Sequence, residues 1–163
     1  MDIKYYDFIT PIGKMYLFFS SKGLVFLTLP NAKEDNIFNE ATRRFNSFEK
    51  VDLDQYEYHK EIIEYLKGES KEFTISIDLQ GTEFQKKVWN ELLNIPYGET
   101  RTYKEIANAI GSPYGYRAVG GALNRNPIPI IVPCHRVIGS NGDLIGFGGG
   151  MDLKRMLLDL ERH

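Results

Sequence analysis

Residues 102–124 read TYKEIANAIGSPYGYRAVGGALN, and this stretch decides the fold of the second half of the chain. Thr102 can cap a helix over residues 103–110, in which Ile106 and Ile110 lie on one side. Gly-Ser-Pro at residues 111–113 breaks that helix, and a second helix is predicted over residues 114–123. Two helices joined by a short turn that contains glycine predict a helix-turn-helix, an outline that also occurs in many proteins that never touch DNA.

The segments on either side of this stretch contrast with each other. A helix is predicted over residues 83–93, with Thr82 as its cap and Ile-Pro-Tyr-Gly at residues 95–98 as its end. Residues 127–136 read PIPIIVPCHR, and their three prolines exclude a helix. We therefore predict a stiff, extended segment that brings Cys134 to a defined place. Six glycines between residues 139 and 150 then predict a loop whose backbone can approach another group closely.

The two ends of the chain complete the predicted fold. A last helix is predicted over residues 152–160, with Leu153, Met156, Leu157 and Leu160 as its core stripe. A β-meander is predicted at the start of the chain, with strands over residues 3–8, 15–20 and 24–29. Helices over residues 34–45 and 56–66 and a strand over residues 73–77 are predicted to follow it. We therefore predict an α+β protein with two domains. Residues 1–78, linker included, form a small β-sheet domain with helices, and residues 79–163 form a mostly helical domain.

The composition indicates in which cellular compartment the protein is expected. The chain has 163 residues, of which 42% are hydrophobic and 26% charged, as in an ordinary soluble globular protein. No apolar run approaches the roughly 18–20 residues that span a bilayer, and the first residues lack the pattern of a signal peptide. The single cysteine excludes an intrachain disulfide and fits a reducing compartment. We therefore expect a cytoplasmic protein without a membrane partner, nucleoid-associated in a prokaryote or nuclear in a eukaryote.

The charge is distributed unevenly. The net charge is −2, but residues 1–80 carry 10 Lys and Arg against 14 Asp and Glu, whereas residues 81–163 carry 10 against 8. Residues 101–142 contain five basic residues and a single acidic one, Glu105. A local basic surface can bind phosphates even when the whole protein is acidic, although most charge clusters are only solvated faces.

Cys134 stands in an unusual context for a lone cysteine, which is more often a buried, inert residue. Pro133 and His135 flank it outside any regular element, and a glycine-rich loop follows. His135 and Arg136 are basic neighbours that could favour the thiolate. A thiolate beside an imidazole and a carboxylate is a nucleophile at neutral pH, so Cys134 is the candidate reactive group.

The stretch around Cys134, IVPCHRV at residues 131–137, resembles the active-site signature of the O6-alkylguanine-DNA alkyltransferases. The resemblance covers about residues 80–163, and a reactive-cysteine motif with ordered flanking motifs is highly specific. It implies a ribonuclease-H-like N-terminal domain and a winged-helix-like C-terminal domain. The flanking motifs at the spacing of this family are Pro96-Tyr97-Gly98-Glu99-Thr100, Tyr103, Arg117-Ala118-Val119-Gly120-Gly121-Ala122, Asn126-Pro127, Gly149-Gly150, and Leu157-Leu158 with Glu161.

The resemblance implies a chemical role for four of these residues. Cys134 accepts an alkyl group from O6 of guanine, and also from O4 of thymine, once per molecule and without a cofactor. His135 acts through a water as the base that takes the thiol proton, and Glu161 orients the imidazole. Asn126 braces the active-site loop. This arrangement resembles the triad of serine hydrolases, but its nucleophile is sulfur and it acts only once.

The implied partner is double-stranded DNA that contains O6-alkylguanine, bound by a monomer through the minor groove with the damaged base flipped out. The second helix of the helix-turn-helix would enter the groove, and Arg117 would fill the space that the guanine leaves. The DNA-binding positions are Tyr103, Lys104, Ser112, Arg117 and Ser140. The base-pocket positions are Tyr103, Cys134, Val137, Phe147 and Gly148.

This sequence departs from the family pattern in two ways. Many members have tyrosine where this chain has Phe147, so the polarity of the base pocket differs. Some members bind zinc in the N-terminal domain through cysteines and histidines, but residues 1–80 contain no cysteine and only one histidine, His59. We therefore expect no metal site.

Three other functions are compatible with parts of the sequence. A catalytically silent, alkyltransferase-like lesion-binding protein would share the DNA-binding scaffold but replace the cysteine, which is intact here. A cysteine hydrolase could use Cys134, His135 and Glu161 for acyl transfer, with turnover and without DNA. A helix-turn-helix regulator that senses alkylation would need further DNA-binding or metal-binding segments, for which 163 residues leave no room.

Overall fold

The computed structural model describes residues 2–143, 147 and 149–162. The chain forms two compact units, Met1–Leu79 and Gln80–His163. The first unit combines a small sheet with helices, and the second is mostly helical. The predicted α+β class is therefore confirmed.

The first unit is built on a four-stranded sheet. Strands β1 (Lys4–Thr10), β2 (Gly13–Ser20) and β3 (Gly23–Leu27) form the predicted antiparallel meander, and β4 (Glu49–Lys50) lies parallel to β1 at the edge. Gly23 has a φ of 146°, and a side chain there would meet the carbonyl oxygen of Ser76 at 2.4 Å. The β2–β3 turn therefore requires glycine.

Helices α1 (Glu34–Arg44) and α2 (Tyr58–Leu66) complete this unit. Ile37 and Ala41 of α1 belong to a buried cluster that includes Phe18 of β2, whose ring contacts those of Phe26 and Phe45. Full burial of each such side chain contributes roughly 1.5–3 kcal/mol, so the aromatic residues that predicted the strands also form the core.

Two expectations for this unit are wrong. Residues 73–77 do not form a strand, and only Ile77 makes an isolated parallel bridge, with Leu24. The Glu61 carboxylate accepts hydrogen bonds from both the backbone N–H and the hydroxyl of Thr74, at 2.6 and 2.8 Å, so that N–H is not available for a strand ladder.

His59 is half-buried rather than on an exposed helix face, because its Nδ1 lies 2.9 Å from the Tyr6 hydroxyl and its ring packs against Tyr6 and Phe8. A core contact of this kind is the usual role of a histidine without metal-ligating neighbours. Among the described residues, no group of three His, Cys, Asp or Glu side chains is placed to hold a metal ion.

The second unit contains the predicted helix-turn-helix. Helices α3 (Glu83–Leu92) and α4 (Tyr103–Ala109) each begin with a capping box, Thr82 with Gln85 and Thr102 with Glu105. Such a cap stabilises a helix by about 1 kcal/mol, which explains why these starts are visible in the sequence. None of the described helices is long and apolar enough to span a membrane.

Helix α5 (Tyr116–Asn124) follows α4 and starts two residues later than expected. Gly115 precedes it, and a side chain there would lie 2.6 Å from Ser112 Oγ and 3.1 Å from the Ser112 carbonyl oxygen, so the tight turn favours glycine. The buried indole N–H of Trp89 in α3 donates to the carbonyl of Ala122 at 2.9 Å, which ties α5 to α3. Helix α6 (Met151–Glu161) ends the unit, and strands β5 (Arg101–Thr102) and β6 (Val137–Ile138) pair in parallel.

Candidate active site

Cys134 begins a single 3-10 turn, Cys134–Arg136, and is buried. Its N–H donates to the carbonyl of Val132 at 2.8 Å, and the Val132 N–H donates to the carbonyl of Ile128 at 2.9 Å. Ile130 between them has a φ of 76°. The predicted extended course of residues 127–136 is therefore wrong. The prolines exclude a helix, but the chain folds back on itself before it reaches Cys134.

Asn126 holds this turn in shape. Its side-chain N–H donates to the carbonyl of Val132 at 2.8 Å, and its side-chain oxygen accepts from the N–H of Ile128 at 3.0 Å. One amide thus joins the two ends of the segment that precedes Cys134. The Asn126 side chain also acts on the Cys134 thiol, whose pKa it lowers against the larger effect of burial.

A buried ion cluster lies directly after the cysteine. His135 Nε2 lies 2.7 Å from Glu161 Oε2, and both side chains are almost completely excluded from water. Arg136 donates to the same carboxylate through Nε to Oε1 at 2.8 Å and through Nη2 to Oε2 at 2.9 Å. A two-pronged arginine–carboxylate pair of this kind is strong and geometrically specific.

The turn after α3 completes the cluster. The N–H of Gly98 donates to Glu161 Oε1 at 3.3 Å, and the carbonyl of Ile95 accepts from Arg136 Nη1 at 2.8 Å. The Arg136 guanidinium also lies over the ring of Tyr97, 5.7 Å from its centroid. Residues 95–98, which the sequence marked as a helix end and as part of a family motif without an assigned role, therefore hold the end of α6 against the active-site turn.

The ionisation of Cys134 and His135 follows from their burial. Burial raises the pKa of the Cys134 thiol, although the Asn126 hydrogen bond and the charge of Lys154 act in the opposite direction. Burial lowers the pKa of His135, although Glu161 raises it. The expectation that His135 and Arg136 favour the thiolate as basic neighbours is therefore wrong. The lowered pKa of His135 favours the neutral imidazole, and the arginine is paired with Glu161.

Lys154 is the cation that acts on the thiol. Only 1% of its surface is exposed, and its Nζ donates to the carbonyl of Val137 at 2.6 Å. Burial lowers the pKa of Lys154, whereas the neighbouring Cys134 raises it. Three elements thus supply the site: the turn that carries Cys134, strand β6 that carries Val137, and helix α6 that carries both Lys154 and Glu161.

Comparison with known proteins identifies the family. The model of the DNA binding domain of 6-O-methylguanine DNA methyltransferase matches residues 83–163. The inducible methylated-DNA–protein-cysteine methyltransferase of Bacillus subtilis is 48% identical over 150 residues, which cover 91% of this chain and 84% of that protein. The methylated-DNA–protein-cysteine methyltransferase of Methanosarcina barkeri is 46% identical over 171 residues, which cover 98% of this chain and 98% of that protein. The chain belongs to the methylated-DNA–protein-cysteine methyltransferase family.

Solved structures of the methyltransferase family have the same fold. A crystal structure of the O6-methylguanine methyltransferase of Mycobacterium tuberculosis superimposes with a TM-score of 0.83 at 42% identity, covering 98% of this chain and 93% of that one. A second structure, of the M. tuberculosis protein in complex with DNA, has a TM-score of 0.81 at 41% identity, covering 98% and 92%.

All but one of the residues expected in the base pocket lie in the described part of the chain. Tyr103, the first residue of α4, is half-buried, and both burial and the nearby Cys134 raise the pKa of its phenol. Val137 is fully buried beside Cys134, and its carbonyl already accepts from Lys154. Phe147 is half-buried. Gly148 lies outside the described residues.

The expected DNA-binding residues fall into two places. Tyr103, Lys104, Arg117 and Ser140 line one groove with a volume of about 360 Å³. Ser112 does not line this groove but lies in the turn between α4 and α5, where its N–H donates to the carbonyl of Ala107 at 2.9 Å. Four of the five positions that the methyltransferase resemblance selected are therefore brought together.

Sequence reasoning missed Lys154 because it assigned the wrong buried face to α6. The residues of α6 that are buried are Lys154, Leu157, Leu158 and Glu161, whereas Leu153, Met156 and Leu160 are only partly buried. The buried set has the spacing i, i+3, i+4, i+7 of one helix face. That spacing could have revealed Lys154, since Glu161 had already been assigned to the site.

Proposed function

We propose that this chain repairs DNA by moving an alkyl group, typically methyl, from O6 of a damaged guanine to Sγ of its own Cys134, once per molecule. The observation that carries the proposal is the placement of the single cysteine beside the buried His135–Glu161 pair, within a turn that Asn126 braces. The names of the relatives support the same reaction.

The neutral His135 defines the proton path. The guanidinium of Arg136 has only donors to offer, and it donates to both oxygens of Glu161, which favours the ionised carboxylate. His135 Nε2 must then carry the hydrogen that it shares with Glu161, so Nδ1 is the basic nitrogen of the ring. We infer that Nδ1 takes the Cys134 proton through a water, with Glu161 stabilising the imidazolium that results.

The transfer step balances without a cofactor. Sγ attacks the alkyl carbon in line, an S–C bond forms, and the bond from that carbon to O6 breaks. Its electron pair remains on the guanine, which leaves as an anion or takes a proton from Tyr103, whose raised pKa keeps the phenol protonated. A thioether has no easy route back to the thiol, so the reaction ends after one turnover.

The burial of Cys134 makes base flipping necessary in this proposal. Cys134 is only 8% exposed, so the alkyl carbon of a base inside a duplex cannot reach Sγ. Flipping costs a few kcal/mol and less for a mispaired lesion, which favours damaged bases. Arg117 of α5 is exposed and lines the groove with Tyr103, as a side chain that replaces the rotated guanine in the stack must be.

The exposed face of α5 supports an approach through the minor groove. A side chain at Gly121 would meet nothing within 4 Å, so the fold itself does not require glycine there. Glycine inside a helix costs about 1 kcal/mol relative to alanine, so a close approach by an outside partner is a reason for its presence.

We further propose that the chain acts as a monomer in the cytoplasm, nucleoid-associated or nuclear according to its source. We also propose that it accepts alkyl groups from O4 of thymine.

The decisive experiment weighs the protein after reaction with an oligonucleotide duplex that carries O6-methylguanine. The intact mass must rise by one methyl group, the adduct must map to Cys134, and activity must stop at about one equivalent. Cys134→Ala must abolish transfer but keep DNA affinity, because phosphate contacts supply most of that affinity. Sustained turnover without an adduct would indicate a hydrolase, and DNA binding without an adduct would indicate a silent lesion-binding protein.

A further inference from the structure

Tyr116 has no role in the proposed reaction, yet it lines the same groove as Tyr103, Lys104 and Arg117. It is the first residue of α5, and 41% of its surface is exposed. Among the described residues, none forms a hydrogen bond or a ring contact with the Tyr116 side chain. A large aromatic ring thus faces the groove without a partner of its own.

The backbone position of Tyr116 is set by the turn before it. The N–H of Gly115 donates to the carbonyl of Ser112 at 2.8 Å, and a Cβ at Gly115 would lie 2.6 Å from Ser112 Oγ. The first turn of α5 therefore starts from a tight, hydrogen-bonded corner. Tyr114, two residues earlier, is 93% exposed and does not line the groove.

The lining of the groove specifies the chemistry of its ligand. Among the described residues that line it, the charged side chains are Lys104 and Arg117, and none is a carboxylate. A ligand with a phosphate and an apolar face, such as a nucleotide, satisfies both the cations and the ring. Tyr103 also lies close enough to Cys134 to be affected by its charge, so the groove meets the active site at Tyr103.

Helix geometry then separates Tyr116 from its neighbour Arg117. Consecutive residues of an α-helix point about 100° apart, so the two side chains cannot enter the same gap between base pairs. With Arg117 as the residue proposed to enter the stack, the remaining surface that DNA offers the Tyr116 ring is a wall of the minor groove, which consists of deoxyriboses and phosphates.

We propose that the Tyr116 ring packs against the deoxyribose of the nucleotide next to the flipped guanine, with Lys104 on the adjacent phosphate. This inference rests on the proposed function and adds a residue that determines DNA affinity. The ring holds the displaced strand beside the active site, so it contributes to binding of lesion-containing DNA and not to the chemical step.

The test compares DNA affinities in the full-length Cys134→Ala background, where no transfer interferes. A fluorescent duplex that carries O6-methylguanine is titrated, and its anisotropy gives Kd. Tyr116→Ala is expected to raise Kd about five- to tenfold, at the lower end of the range for aromatic contacts with nucleic acid. Tyr116→Phe is expected to keep the parent affinity, because the ring makes the contact. Tyr114→Ala is the matched control and is expected to leave Kd unchanged.

A second duplex distinguishes the sugar from the base. An abasic nucleotide on either side of the lesion removes the base but keeps the deoxyribose, so the effect of Tyr116→Ala is expected to persist. Loss of the effect on the abasic duplexes overturns the sugar contact in favour of stacking. Equal affinities of Tyr116→Ala and its background protein overturn the inference altogether. The mass experiment tests the proposed alkyl transfer to Cys134 separately, so the two failures can be told apart.

Discussion

His135 and Glu161 share a hydrogen bond of 2.7 Å between Nε2 and Oε2, although 26 residues separate them in the chain. Arg136 holds the same carboxylate from the other side. The carboxylate therefore has two functions at once: it compensates a buried arginine, and it sets the tautomer of the histidine. Changes to Glu161 must affect both folding stability and the proposed proton transfer.

Glu161→Gln is expected to slow alkyl transfer about a hundredfold, with free O6-benzylguanine as well as with DNA. The neutral amide cannot stabilise an imidazolium, and it offers Arg136 a weaker partner. Single-turnover rates measure the first effect, and denaturant unfolding measures the second. Asp159→Asn is the matched control, since Asp159 is an exposed carboxylate on the same helix. Unchanged rates with the free base would show that the pair is only structural.

Lys154→Met is expected to shift the pH–rate profile of the free-base reaction to higher pH. Burial already raises the pKa of Cys134, so the rate of the parent protein should climb with pH through neutrality. The Lys154 charge lowers that pKa, and its removal raises the pKa further, so the variant is slow at neutral pH and recovers in alkali.

The stability of the same variant separates this role from a structural one. A buried cation is costly, so its replacement by an apolar side chain of similar length should change the free energy of unfolding by less than about 2 kcal/mol. Lys154→Arg keeps the charge and serves as the control for the pH profile. A profile of Lys154→Met that coincides with the parent would exclude an electrostatic effect on the thiol.

Arg117→Ala is expected to slow repair of duplex DNA on the order of a hundredfold, because the flipped state loses the side chain that replaces the guanine. Reaction with free O6-benzylguanine should barely change. The comparison is the single-turnover rate at saturating duplex. An arginine that only contacts phosphate would instead weaken binding, reduce the salt dependence and leave the saturated rate intact. Equal saturated rates would therefore rule out insertion into the stack.

Gly121→Ala is expected to stabilise the protein by about 0.4–1 kcal/mol and at the same time to weaken DNA binding. The structure leaves open space for the methyl group, so the fold tolerates it. The same methyl group would stand between α5 and the floor of the minor groove. Thermal unfolding and duplex titration measure the two effects, and the free-base rate should stay constant. A variant that gains stability and binds DNA as before would place the groove-facing side of α5 elsewhere.

The sequence predicted those parts of the fold in which the decisive contacts are local. The capping boxes at Thr82 and Thr102 join residues three apart, so their pattern is visible in the sequence, and helices α3 and α4 begin where it predicts. The meander was equally visible, because aromatic and β-branched residues alternate with turns. The predicted strand at residues 73–77 failed because a distant carboxylate, that of Glu61, takes the backbone N–H of Thr74.

The sequence by itself determined that Cys134 is the single candidate nucleophile, and the motifs around it named His135, Asn126 and Glu161. Only the tertiary structure decided that the thiol and the imidazole are both biased towards their neutral forms, since burial, which shifts their pKa values, depends on distant segments. It also decided which face of α6 is buried and thereby placed Lys154 beside the thiol. A helix pattern predicts that one face is buried, but the packing of the neighbouring elements selects the face.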